Sequence, residues 1–152
     1  MAAGVTIKLK RKAGAFSSSE LAAGEMGMDT TNENLWLSAD GSTVVQLEKI
    51  TTTTSSSTPT PTGNGHRNLF TVTALAAGAT FAAPSGTVAN GNRLLIRIKD
   101  NGTARSLAWN AIYRAVGVTL PTTTVISKTL YVGAVYNSAS STWDVLAVGE
   151  EA

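Results

Sequence analysis

No cysteine occurs among the 152 residues, so a disulfide framework and a thiolate metal site are both excluded. Histidine is nearly as scarce. The one His66 lies in a Thr/Ser/Pro stretch with nothing to orient it, which leaves no base for a Ser-His-Asp arrangement and no three-histidine zinc site. No metal and no cofactor is therefore expected. No run approaches the roughly 20 apolar residues that span a bilayer, so no membrane partner is expected either. In residues 1–12 the basic cluster follows the apolar residues, the reverse of a secretory signal, which points to synthesis in a cytoplasm. Charged residues make up only 14% of the chain, well below the usual quarter or so. What is present is an apolar fraction of 43%, enough for a packed core, among abundant Thr, Ser, Ala and Gly. That balance suits short strands joined by turns, in one ordinary domain or two small ones.

The clearest internal boundary is residues 51–66, Thr-Thr-Thr-Thr-Ser-Ser-Ser-Thr-Pro-Thr-Pro-Thr-Gly-Asn-Gly-His. It has no aliphatic or aromatic side chain and no acid, so it is expected to be a flexible linker, reaching roughly 50 Å when stretched. Before it, residues 1–50 read as a small module. Val5-Thr-Ile-Lys-Leu-Lys10 alternates apolar and polar as a half-buried strand does. Ser17-Ser-Ser-Glu20 has capping-box spacing and predicts a single helical turn, broken at Gly24-Glu25-Met26-Gly27. Asn34-Leu-Trp-Leu37 and Thr43-Val-Val-Gln-Leu47 flank Asp40-Gly41, a strong hairpin signal. Three strands of this size bury little by themselves, so the module needs a partner surface or copies of itself.

After the linker, residues 67–152 read as a compact domain. Strands are expected over 69–74, 79–83, 93–99, 104–109, 112–115, 123–127, 129–136 and 142–148. In Arg93-Leu-Leu-Ile-Arg-Ile-Lys99, Leu94, Ile96 and Ile98 share one face, with Arg93, Arg97 and Lys99 on the other. Asp100-Asn-Gly-Thr103 predicts a hairpin, because Asn-Gly accepts the positive φ of tight turns. The expectation is all-β: a small N-terminal β-hairpin module, a flexible linker and a C-terminal antiparallel β-sandwich of jelly-roll type.

Both halves resemble known bacteriophage virion proteins. Ile7-Lys-Leu-Lys-Arg-Lys12, Leu21-Ala-Ala-Gly-Glu-Met-Gly-Met-Asp-Thr-Thr31 and Leu35-Trp-Leu-Ser-Ala-Asp-Gly-Ser-Thr-Val-Val-Gln-Leu47 resemble a module of phage tail fibres and other appendage proteins. In that family a basic strand leads to a "GE-x-G" turn and a hairpin ending in "DG-x-T". Leu94-Leu-Ile-Arg-Ile-Lys-Asp-Asn-Gly-Thr-Ala-Arg105, Leu120-Pro-Thr-Thr-Thr124 and Lys128-Thr-Leu-Tyr-Val-Gly133 are similar to the C-terminal domain of head-fibre and capsid-decoration proteins. The resemblance implies a non-enzymatic virion structural protein, a capsid-decorating protein of the cement or head-fibre kind that binds the major capsid protein or another virion protein, usually as a homotrimer, with residues 1–50 as the anchoring module. The alternative it keeps open is a tail fibre or tail adaptor that contacts a host glycan or receptor.

Among individual residues, Lys8, Lys10, Arg11 and Lys12 are the candidate contact with an acidic partner, against the plainer reading of a solvated strand edge. Residues 67–149 carry seven Lys and Arg against Asp100 and Asp144, but lack aromatics interleaved with the cations, so nucleic acid is disfavoured as a partner. The same two carboxylates, one in a turn and one in a strand, make a poor glycosidase pair. Trp109, Tyr113, Tyr131, Tyr136 and Trp143 suit a shallow sugar site, though aromatics on alternating strands more often fill cores or interfaces.

Overall fold

A computed structural model describes residues 9–17, 19–31 and 34–152. Every element among them is a strand. They form two compact units that divide between Leu47 and Glu48.

The first unit is a sheet of β1 (Lys10–Lys12), β2 (Met26–Asp29), β3 (Asn34–Ser38) and β4 (Val44–Gln46), in that spatial order. β1 runs parallel to β2, and the β2–β3 and β3–β4 pairs are antiparallel. Asp40 closes the β3–β4 connection, its carboxylate accepting from the backbone N–H of Ser42 and of Thr43. These bonds hold the Asp40 carboxyl below its ordinary range. Residues 5–8 of the expected first strand lie outside the described residues, while β2 occupies a segment read as a turn. Its Gly27 is required by packing: a Cβ there would lie 2.5 Å from Cζ of Phe16, whose ring covers the sheet beside the buried Leu21. The Ser17–Glu20 box closes a turn, not a helix. Glu20 accepts from Ser17 N (2.5 Å) and from its hydroxyl (2.9 Å), but Leu21 then dives into the core and Gly24 turns the chain away.

The second unit holds β5 (Glu48–Thr53), β6 (Arg67–Leu75), β7 (Ala79–Phe81), β8 (Arg93–Asp100), β9 (Leu107–Trp109), β10 (Tyr113–Ala115), β11 (Thr129–Asn137) and β12 (Thr142–Glu150). Six of them form one sheet in the order β10-β12-β11-β8-β6-β5, and β7 pairs with β9 separately. The expected antiparallel character holds only for β8–β11 and β11–β12. β5–β6, β6–β8, β10–β12 and β7–β9 are parallel. Strict alternation drives the core: Leu94, Ile96 and Ile98 of β8 are buried with Phe70 and Val72, Val132 and Ala134, and Trp143 and Val145. Each large side chain so buried contributes roughly 1.5–3 kcal/mol.

Residues 51–66 are not a free tether. Thr51–Thr53 complete β5, paired with Phe70–Val72. The following chain runs beside β7, where the carbonyls of Ser57, Pro59 and Pro61 accept from Thr80, Ala82 and Ser85 N–H, and Gly63 N–H donates to Ser85 O. Pro59, Pro61, Gly63 and Gly65 are buried. Proline is tolerated because these positions act as acceptors at a sheet edge, where no N–H is needed. The ordered body therefore begins at residue 48, not 67.

Two further expectations differ. Gly102 takes φ +90° in the predicted turn, but β8 pairs with β6 and β11 and no hairpin follows. Residues 123–127 form only a bridge at Thr123 to Ser106; Thr124 is buried so that its hydroxyl can donate to Asp100 (2.8 Å).

Candidate functional site

Of the four basic residues singled out, Lys8 lies outside the described residues. Lys10 and Lys12 point to one side of β1 and Arg11 to the other. Lys10 pairs with Glu25 at 2.6 Å, and Lys12 with Glu20 at 2.5 Å while lying 5.4 Å over the Phe16 ring. The Lys12 ammonium, helped by the Ser17 N–H and hydroxyl, holds the Glu20 carboxyl down at about 2. Lys10, with the Ala22 N–H, lowers Glu25. Both lysine charges are thus largely matched inside the unit. Arg11 is exposed and has no ion pair among the described residues.

The five aromatics do not form an open platform. Trp143 and Tyr113 are buried, and burial pushes the Tyr113 hydroxyl well above its usual range. Trp109 stacks on Phe81 at 4.6 Å and donates from Nε1 to Pro121 O; Tyr136 leans on Trp143 at 5.4 Å. Tyr131 sits on the other face of the six-stranded sheet, beneath the Arg97 guanidinium at 5.7 Å. The two carboxylates of residues 67–149 are structural as well. Asp100 is buried, which raises its pKa, but hydrogen bonds from Ser127 N–H, Thr124 Oγ1 and Gly102 N–H outweigh that and leave it lowered. Asp144 is held at about 2 by a two-point Arg114 contact (2.8 Å each) and by Asn137. Among the described residues no cluster of His, Cys, Asp or Glu could hold a metal.

A site that residue-type reasoning missed lies on the outer face of the six-stranded sheet. Cross-strand register aligns Ile50, Leu69, Leu95, Gly133 and Ala147 in one row over five strands. One side is flanked by Glu48, Arg67, Arg93, Val135 and Asp144, and the other by Thr52, Thr71, Arg97, Tyr131 and Gly149. Solvent-phase positions in strands are ordinarily polar, yet Ile50 is 63% exposed, Leu146 52% and Leu95 40%. Because Gly133 and Ala147 are small, the row sinks into a groove of about 480 Å³. Arg67 pairs with Glu48 (3.2 Å), leaving Arg93 as a rim cation with no ion pair among the described residues. Glu48, Lys49, Arg67 and Arg93 are the titratable residues lining it. Such a surface can bury an apolar ridge and accept a carboxylate at one rim. The available signal was an apolar side chain in the outward phase of four strands, but which strands adjoin cannot be read from the chain. No protein-family model and no curated protein matches this sequence.

Proposed function

We propose that this chain is a non-enzymatic structural protein of a bacteriophage particle, a capsid-decorating protein of the cement or head-fibre kind, held to an acidic surface of the shell by the outer face of its six-stranded sheet. The observation that carries the reading is the exposed apolar row from Ile50 to Ala147 beside the unpaired Arg93. Contiguous exposed apolar surface with a polar rim is characteristic of protein contacts. The N-terminal lysines have less to offer a partner, since Lys10 and Lys12 already hold Glu25 and Glu20. The reading takes the second unit as a β-sandwich, with β7, β9 and residues 57–63 across the core from the large sheet. Its location is the virion. Host-glycan recognition by a tail protein lacks a specific support, because Trp143 and Tyr113 are closed into the core.

The test is co-sedimentation with purified particles of the parent phage lacking this protein. Leu146→Ser and Arg93→Glu should each weaken binding about tenfold or more, Arg93→Glu more at low salt than at high, because exposed charges are screened over about 10 Å at 0.1 M. Undiminished binding by both variants, with loss on removing residues 1–47, would return the contact to the N-terminal unit.

A further inference from the structure

The apolar row does not stop within the sheet; it runs out at β5, the outermost strand. Ile50 at its end is the most exposed large hydrophobic residue described, at 63%. β5 is also the least protected edge. It has six residues, whereas the edge strands β1, β4 and β10 have three each, and β1 is blunted by Lys10, Arg11 and Lys12. From Ile50 to Thr53 it contains no proline, charge or bulge, the devices by which sheets refuse a further strand.

From this edge we infer that two copies of the chain join β5 to β5 across a twofold axis, antiparallel, making one continuous sheet with one continuous apolar row. The pleat allows only registers that keep each side chain on its own face, and charge chooses among them. Centring the axis on Lys49 would oppose two lysines. Centring it on Thr51 sets Ile50 against Thr52 of the other copy and leaves the apolar side chain against a hydroxyl. Centring it on Ile50 sets Ile50 against itself, Glu48 against Thr52 and Lys49 against Thr51, with no like charges opposed. Only this last arrangement closes the row, so that Ile50, Leu69, Leu95, Gly133 and Ala147 of one copy continue into the same residues of the next. The contact is isologous and closes at two copies. The inference goes beyond the particle-docking proposal and does not depend on it.

Absence of native cysteine makes the test clean. In this register the two Ile50 Cβ atoms are about 4.5–5.5 Å apart, near disulfide reach, while the two Thr52 positions are offset by roughly 14 Å along the strands. The full chain should sediment at twice its 15.7 kDa. Ile50→Cys should form an intermolecular disulfide rapidly under mild oxidation, and Thr52→Cys at least tenfold more slowly. Ile50→Lys, at a site so exposed that folding is unaffected, should shift the protein to monomer. A monomer at roughly 100 μM, a hundredfold above a micromolar contact, would overturn the inference. So would a trimer, a dimer indifferent to Ile50→Lys, or equal cross-linking at the two positions. Because Ile50 also belongs to the docking row, the pairing is judged on mass and cross-linking alone, and the docking proposal on Leu146→Ser and Arg93→Glu.

Discussion

If residues 48–66 are part of the second unit, a fragment beginning at Arg67 should be far less stable than one beginning at Glu48. Its removal takes away β5 and five carbonyl acceptors, those of Thr54, Ser57, Pro59, Pro61 and His66, which serve Ala74, Thr80, Ala82, Ser85 and Arg93 N–H. Each such bond is worth about 1 kcal/mol net once water replaces the partner, hence roughly 5 kcal/mol for the five. The buried Pro59 and Pro61 and the cover that Gly63 gives Trp143 and Val88 add a few more by the area they shield. A small domain has only about 5–15 kcal/mol in total, so the loss is comparable with the whole. Urea unfolding followed by Trp fluorescence should give a cooperative transition for 48–152 and a marginal or absent one for 67–152. Limited proteolysis of the full chain should spare residues 51–63. A 67–152 fragment with the same midpoint, or first cleavage inside the Thr/Ser/Pro run, would refute the reasoning and restore a tether.

Gly63→Ala should lower stability by roughly 1–3 kcal/mol, seen as a drop in Tm, because the new Cβ would lie 2.8 Å from Val88 Cγ1 and 2.9 Å from Trp143 Cζ2. Asp100→Ala should cost about 3 kcal/mol in chemical unfolding by stranding the donors at Thr124, Ser127 and Gly102, whereas Asn101→Ala, in the same turn but exposed, should cost under about 1 kcal/mol. Glu20 titrates at about 2 in the folded chain against an ordinary 4.5, and a depressed carboxyl stabilises above its unfolded pKa and stops doing so as pH falls through its folded one. The first unit should therefore lose stability between pH 4.5 and 2, and Glu20→Gln should flatten that part of an amide-exchange pH profile.

Strict alternation made β8 legible from residues alone, since Leu94, Ile96 and Ile98 cannot share a face in any other periodicity. In β12 the alternation that would put Ala147 with Trp143 and Val145 breaks at a bulge, where Leu146 and Ala147 are both exposed. Residues 51–66 misled because proline and threonine read as breakers when the measure is burial by aliphatic side chains. Here the segment is held by its carbonyls, and carbonyls are the same in every residue. β2 was hidden for a related reason: Gly27 weakens a strand signal, yet it is the residue that lets the Phe16 ring approach. The parallel pairs could not be foreseen, because turn chemistry at Asp100–Gly102 says where the chain bends and nothing about which strand it next adjoins.

The outer groove lies between these cases. Leu69, Leu95 and Leu146 each occupy an outward phase, and each alone is an ordinary exposed leucine, since much of any protein surface is apolar. They gain meaning only through register, which sets Leu69 beside Leu95, Leu95 beside Gly133, and Leu146 at the bulge next to Ala147. Gly133 is informative in the same way. A Cβ there would meet Ala147 at 3.6 Å, ordinary contact distance, so neither packing nor backbone conformation demands glycine. What its missing side chain provides is depth on the solvent face, and a depression serves no purpose in holding this unit together. Gly133→Val should accordingly leave the unfolding free energy within about 1 kcal/mol of the parent protein. Filling the groove should still abolish whatever contact uses it, a separation of stability from binding that a purely structural glycine would not show.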